Sequence, residues 1–503
     1  MTKRLLLCIT LGFGIFAEPS AGQNVRPFVE SDAQAETERS IQTTDNCESL
    51  ERMLKKNGFA VTAAQFPQMF SAYIPSSGFV SRQLPPFITT DSAWHTYHVL
   101  LEKGVKQLEH RQAVRLKKFS QRLLSRATRL AGGGQADFSK IVDYASIALA
   151  LQDRTHAATL TGKQKQLLTA LKKAHGKVRG PVGFSLLAPV FRANSFYTSS
   201  PRLADYFTAR QWYALVVFPL ISKEDTSLAL RLAMLIDSDK QLGELWRSLS
   251  EPYDSLLGET EDGDVVAYAS AVRKIVGPRA TPAQAAKSVE ALQKHLQIAL
   301  PDPQVNDQLL LTPERFAELT KGFRLLPPRR LTSSVCFQKT GSSSGVSGLH
   351  FMVASKQMRS DAAARALKQH SGVKETIRTL GTDPGPLPDS LHGRAMKLIA
   401  TLQKPPDANA PQALKTKAWS DKQLWTQLGA WAQQRHTWAL HAKLTSYGLC
   451  SSGRGDAGMV SPYPEFFESL GVLTRQTAKV LARTGAVNAS NAESAARDLL
   501  VHL

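Results

Sequence analysis

The sequence predicts an all-α protein: a large single multi-helix domain over residues 47–503, open to division into two lobes, with long connecting loops. Three observations lead there. Apolar residues recur at helical period through most of the chain. Alternation of β-branched residues is scarce, and the best candidate strand is Leu331 to Gln338. Helix breakers gather in short stops: Gly132-Gly133-Gly134, Gly277-Pro278, Pro327-Pro328, Pro384-Gly385-Pro386, Pro405-Pro406 and Pro411.

Between those stops the periodicity predicts helices near 48–57, 90–131, 136–152, 162–175, 201–220, 225–248, 263–275, 281–299 and 312–322. It continues at 355–370, 390–402, 412–447, 463–483 and 490–502. No fixed period of the kind that builds a solenoid is found. The acidic run Glu259 to Asp264 lacks EF-hand spacing and reads as a solvated loop between helices. Gly341 to Gly348 lacks the Lys-Ser/Thr of a phosphate-binding loop and reads as a flexible connection.

The N-terminus predicts export. Lys3 and Arg4 precede the apolar run Leu5 to Phe16, which is too short for a span of about 20 residues, and small residues follow at Pro19 to Gly22. Residues 1–22 therefore read as a signal peptide, 23–46 as a polar, flexible lead-in, and the destination as periplasmic or secreted. No later stretch is apolar enough to span a membrane. Beyond the signal's Cys8 the cysteines are Cys47, Cys336 and Cys450, without CxxC spacing; one disulfide is open to them, and the sequence does not choose the pair.

The chain carries 62 Lys+Arg against 42 Asp+Glu, a net charge of +20. For an exported protein that excess points to anionic envelope polymers or lipid surfaces rather than nucleic acid. The long helix concentrates it: Arg111, Arg115, Lys118, Arg122, Arg126 and Arg129 follow helical spacing, opposite Leu116, Phe119, Leu123 and Leu130. That basic face is the candidate anion-binding surface, and a solvated helix face is the alternative.

HExxH, GxSxG and Walker motifs are absent. The candidate chemistry lies instead in Pro85 to Lys103. Asp91, His95, His98 and Glu102 are spaced 4, 3 and 4 apart, one stripe of a helix beside an apolar stripe of Trp94, Tyr97, Leu101, Val105 and Leu108. His95 and His98, one turn apart, could share a divalent metal, exchange protons, or form a hydrogen-bonded structural cluster. In the second cluster, Arg435 interrupts an apolar stripe of Leu424, Leu428, Trp431, Trp438 and Ala442, with His436 beside it. A buried guanidinium needs a carboxylate, and Asp91, Glu102 and Glu465 are the candidates. The sequence thus predicts one partly buried polar site of Asp91, His95, His98, Arg435, His436 and Glu465.

Four ordered segments resemble a bacterial and archaeal family known as a domain of unknown function, numbered 3160. They are Phe87 to Asp91 with His95 and Tyr97-His98; Tyr206-Phe207 with Trp212-Tyr213; Ala430 to Thr437; and Ser461 to Phe467. The resemblance runs over about residues 50 to 485. Departures fall on polar groups. The family's PRGHY is similar to Ala193-Asn194-Ser195-Phe196-Tyr197, a Glu and an Asp around its Arg-His become Gln433 and Thr437, and another Asp is His350. The resemblance implies fold and export and brings no activity with it.

Two function classes stand. The altered polar groups and the Lys/Arg excess favour a non-catalytic or weakly catalytic envelope protein that binds an anionic polymer or surface. The alternative is an envelope hydrolase, metal-assisted or not, working through Asp91, His95, His98 and Glu102, with Arg435 or His436 positioning substrate.

Overall fold

The computed structural model describes residues 89–308, 311–312, 315–339, 348–355, 361–367, 386–406, 408–410, 412–444 and 464–487. The expected signal peptide and lead-in, the helices at 48–57 and 490–502, Cys47, Cys450 and most of the Gly341–Gly348 loop lie outside them. The chain divides into two units: Met1–Thr89 with Ala408–Thr416 and Gly455–Ser461, and Thr90–Asp407 with Lys417–Arg454 and Pro462–Leu503. In the described part of the smaller unit a 3-10 turn, Gln412–Lys415, lies beside a hydrogen bond from Lys415 Nζ to the Ala408 carbonyl at 2.6 Å.

The larger unit is helical. Its axis is α1 (Thr90–Gly132), 43 residues and therefore about 65 Å long. The stripe Trp94, Tyr97, Leu101, Val105 and Leu108 is buried on one side of α1, and Leu116, Phe119 and Leu123 are buried further along. Next come α2 (Ser139–Ala150), α3 (Arg154–Thr159) and α4 (Gly162–Lys173), then a small hairpin of β1 (Lys177–Arg179) and β2 (Ser185–Leu187), antiparallel with Val178 opposite Leu186. They are followed by α5 (Pro201–Leu215), β3 (Phe218–Pro219), α6 (Lys223–Ser238), α7 (Lys240–Leu257), α8 (Val265–Ile275), α9 (Pro282–Lys287), α10 (Val289–Ala299) and α11 (Phe316–Thr320). β4 (Gly322–Phe323) pairs antiparallel with β3. The C-terminal helices are α12 (Thr332–Lys339), α13 (Gly348–Ala354), α14 (Asp361–Leu367), α15 (Leu391–Ala400), α16 (Lys417–Thr437) and α17 (Pro464–Arg483).

The main core gathers the second half of α1 with α2, α5, α6, α7, α8 and α10. Its aromatic centre is Tyr144, whose ring meets Trp212, Tyr213 and Phe218 at 5.4–5.7 Å. The indole Nε1 of Trp212 donates to the Tyr144 carbonyl at 3.0 Å, so a large ring is buried without orphaning its polar atom. The first half of α1 instead meets α16 and α17. There Gly104 allows contact: a Cβ on it would lie 2.4 Å from Leu481 Cδ1. Tyr97 and Thr477 join the same two helices through their hydroxyls at 3.1 Å.

Three local expectations are corrected. Leu331 to Gln338 is not a strand: α12 occupies it from Thr332 on, and Leu331 to Cys336 are all buried, so packing overrides the β-branched composition. The stretch 225–248 is two helices, because Asp239 takes an extended conformation and caps α7 through the Leu242 amide at 3.1 Å. The acidic run is solvated only at its start, where Glu259 is exposed. Asp262 and Glu261 are buried, since Arg324 and Lys443 arrive from distant sequence to pair with them.

Candidate functional site

The packing of α1 against α16 sets the first turns of α1 beside a polar seam. Asp91 forms an ion pair with Lys422, whose ammonium also lies over the Trp419 ring at 5.4 Å. One turn on, His95 Nδ1 accepts from the Gln433 amide at 3.0 Å. That acceptor role leaves the ring proton on Nε2 of the neutral imidazole. His98 follows, buried, its Nε2 3.8 Å from Glu102 Oε2 and its Nδ1 without a hydrogen bond. From the far end of α16, His436 Nε2 reaches Ser195 Oγ at 2.8 Å.

The electrostatics follow from burial. Desolvation lowers the pKa of His95 against the pull of Glu102. Desolvation, with the neighbouring His95 and His436 rings, lowers His98 to about 4. Both rings are therefore neutral at physiological pH, able to accept or relay a proton but not to act as fixed cations. Among the described residues no three His, Cys, Asp or Glu side chains gather to hold a metal ion.

Ser195 opens a 3-10 turn, Ser195–Ser199, with φ at +52°. A side chain in this left-handed region costs about 1–2 kcal/mol relative to glycine. Glycine would hold this backbone without strain; serine holds it and adds a hydroxyl. Its neighbour Phe196 stacks on Tyr197, ring centres 4.3 Å apart. No motif in the sequence signals Ser195, because its partner lies 241 residues away.

Arg435 is not paired as the sequence suggested. Its guanidinium donates to Ser333 Oγ at 2.9 Å and Ser334 Oγ at 3.3 Å and lies over the rings of Phe337 and Trp431. Each expected carboxylate is engaged elsewhere. Asp91 holds Lys422, Glu102 faces His98, and Glu465 is exposed and paired with Lys404 at 2.5 Å. The hydroxyls of α12 and the aromatic faces of α12 and α16 are thus among its partners. Seen in contacts, the site brings together His95, His98, Glu102, Gln433, His436 and Ser195, has Asp91 with Lys422 at one end, and leaves Glu465 out.

The basic face of α1 is also partly consumed. Arg122 donates to Asp239 at 2.7 Å and Arg126 pairs with the same carboxylate at 2.9 Å. Arg115 bonds Gln112 at 3.3 Å, while Arg111, Lys118 and Arg129 remain exposed. Two of the six expected anion-binding cations thus hold α7 to α1.

Below the seam, the α1 stripe continues where the sequence reading stopped. Glu109, seven residues beyond Glu102, is fully buried and accepts from Tyr253 at 2.8 Å and His441 Nε2 at 3.0 Å. Burial opposes its charge, but His441, Tyr206 and Tyr253 overcome that and hold the carboxyl below its usual range. His441 thereby ties the end of the α16 segment to this buried carboxylate, while burial first and the Glu109 charge second raise the pKa of Tyr197 beside the Ser195 turn.

A family model described as Protein of unknown function (DUF3160) matches residues 48–498. No curated protein and no solved structure matches the chain.

Proposed function

The chain belongs to this family, and on that premise we propose that it is a hydrolase of acyl esters acting outside the cytoplasm, with Ser195 and His436 as the reacting pair. The 2.8 Å contact between Ser195 Oγ and His436 Nε2 carries this reading. It is the spacing of a nucleophile and its base, and it occurs at a serine held in the left-handed backbone region. In the proposed reaction Ser195 Oγ bonds to the acyl carbon while its proton passes to His436 Nε2. The alkoxide leaves with that proton, and water repeats the sequence to release the acid. His95 and His98, neutral and half-buried or buried, line the seam, and Arg435 holds the His436 turn through Ser333 and Ser334. Export is read from Lys3-Arg4, the apolar Leu5 to Phe16 run and the small residues after it. An intact mass of the fractionated protein lacking Met1 to Gly22 is the expected result.

A fluorophosphonate probe, which phosphonylates an activated serine, tests the reaction. The wild-type chain should gain one adduct on Ser195, and p-nitrophenyl acetate turnover should fall in parallel. His436→Ala should remove labelling without unfolding the chain. Ser195→Gly should remove labelling and raise stability by about 1 kcal/mol, because glycine relieves the left-handed backbone. A folded wild-type protein that takes no adduct rejects the proposal.

A further inference from the structure

From the structure we infer that a second functional surface, formed by α4 and the β1–β2 hairpin, docks an acidic polysaccharide. From Arg154 to Ala204 the chain carries nine Lys or Arg and no Asp or Glu. Six of these cations, Lys163, Lys165, Lys172, Lys173, Lys177 and Arg179, fall within 17 residues, and all six are exposed. None of the six forms an ion pair among the described residues, unlike Arg122 and Arg126 on α1 or Lys117, which holds Asp153 at 3.0 Å.

Local structure fixes these charges on one rigid support. Leu168 and Leu171 turn α4 into the core, which leaves its lysines outside. The helix ends at Ala174 in the left-handed region, and the chain turns at Gly176 into β1. On β1 the two-residue period buries Val178 and exposes Lys177 and Arg179. Lys165, Thr169 and Lys173 lie on one stripe of α4, about 12 Å from first to last. With Gln166 and His175 they line an open depression of about 580 Å³. An open cationic depression with the Thr169 hydroxyl, continued by the row of exposed cations to Arg179, fits a linear polymer with repeated carboxylate or sulfate groups and sugar hydroxyls.

Two other polyanions fit less well. A membrane-surface helix buries an apolar face in the headgroup boundary, but none of the exposed large hydrophobic side chains lies between Arg154 and Arg202. Single-stranded nucleic acid is held by stacking on exposed aromatic rings. Here Phe191 and Tyr197 are buried, and Phe196 is stacked on Tyr197.

The test uses the chain from Gln23 onward and three probes: alginate, vesicles of phosphatidylglycerol, and a single-stranded DNA oligonucleotide. Alginate should bind with an affinity that falls steeply with salt, and Lys165→Glu/Lys173→Glu/Arg179→Glu should weaken it at least about tenfold. The Lys→Gln and Arg→Gln counterparts should weaken it less, and matched thermal melts show that all variants fold. Arg111→Glu/Lys118→Glu on α1 should leave it unchanged. Ser195→Gly should bind like the wild type, which separates this surface from the proposed reaction. Tighter binding to vesicles or to DNA than to alginate, or equal loss from the α1 variant, overturns the inference.

Discussion

His98 shows how a single side chain registers its surroundings. Its ring is buried, and burial first, then the His95 and His436 rings, lowers its pKa to about 4. His392, buried on α15, is lowered to about 4 by burial and by Arg435. An unfolded histidine takes its proton near 6.5. Between about 4 and 6.5 the unfolded chain therefore binds more protons than the folded one. The stability these neutral rings contribute is complete above 6.5 and is lost as pH falls toward 4, by about 3 kcal/mol for each ring. Urea unfolding at pH 7 and pH 4.5 should show this decline, and His98→Gln should flatten it. An unchanged slope in that variant would mean that His98 is protonated in the folded protein. The sequence announced the histidine pair by spacing, but its protonation state depends on burial that no spacing specifies.

At the scale of elements, α6, α7 and α1 meet at Asp239. Its carboxylate caps α7 at the Leu242 amide and receives Arg122 and Arg126 from α1. Those contacts outweigh burial and hold the carboxyl below its usual range. Asp239→Ala should cost about 2 kcal/mol, since it removes a helix cap and a paired charge together. Asp239→Asn, which keeps a capping oxygen, should cost roughly half as much. Urea midpoints of the two variants measure the difference, and equal losses would assign the whole effect to the arginine pairs. The helix at 90–131 was legible almost to the residue because apolar period and breakers agree over its whole length. The joint at Asp239 was not. An aspartate between two apolar-periodic segments looks the same whether it lies on a helix face or breaks one, until α1 supplies its arginines.

Across the whole larger unit, buried charge ties segments that are far apart in sequence. Arg324, fully buried, lies 3.2 Å from Asp262 and donates to Asp307 at 2.7 and 2.9 Å. Lys443 reaches Glu261 at 2.8 Å and Asp262 at 3.2 Å. Burial pushes the Asp262 carboxyl up, whereas at Asp307 it is outweighed by Arg324 and Lys443. The backbone repeats the link: Arg329 exchanges hydrogen bonds with the segment after α16, its amide donating to the His441 carbonyl at 2.6 Å and its carbonyl accepting from the Lys443 amide at 2.7 Å. Lys443→Met should destabilise the chain by about 3 kcal/mol, because it removes one of the two buried cations that face Glu261, Asp262 and Asp307. That loss should shrink as pH falls and Asp262 takes up a proton. Calorimetric melts at two pH values check both points, and a loss below about 1 kcal/mol would mean that water reaches the cluster.

The sequence by itself determined the all-helical class, most helix positions, the two apolar stripes of α1 and the His95–His98 stripe, because each is a local property of periodicity. It also contained, unread, the continuation of that stripe to Glu109. Only the tertiary structure decided the partners: Gln433 for His95, Ser195 for His436, hydroxyls and aromatic rings for Arg435, Lys404 for Glu465, and Asp239 for Arg122 and Arg126. It likewise turned the middle of the acidic run from solvent to core. A side chain's period is set by its near neighbours, but pairing between charges and hydroxyls is set by distance in space. Here the deciding contacts join residues tens to hundreds of positions apart, which no local pattern encodes.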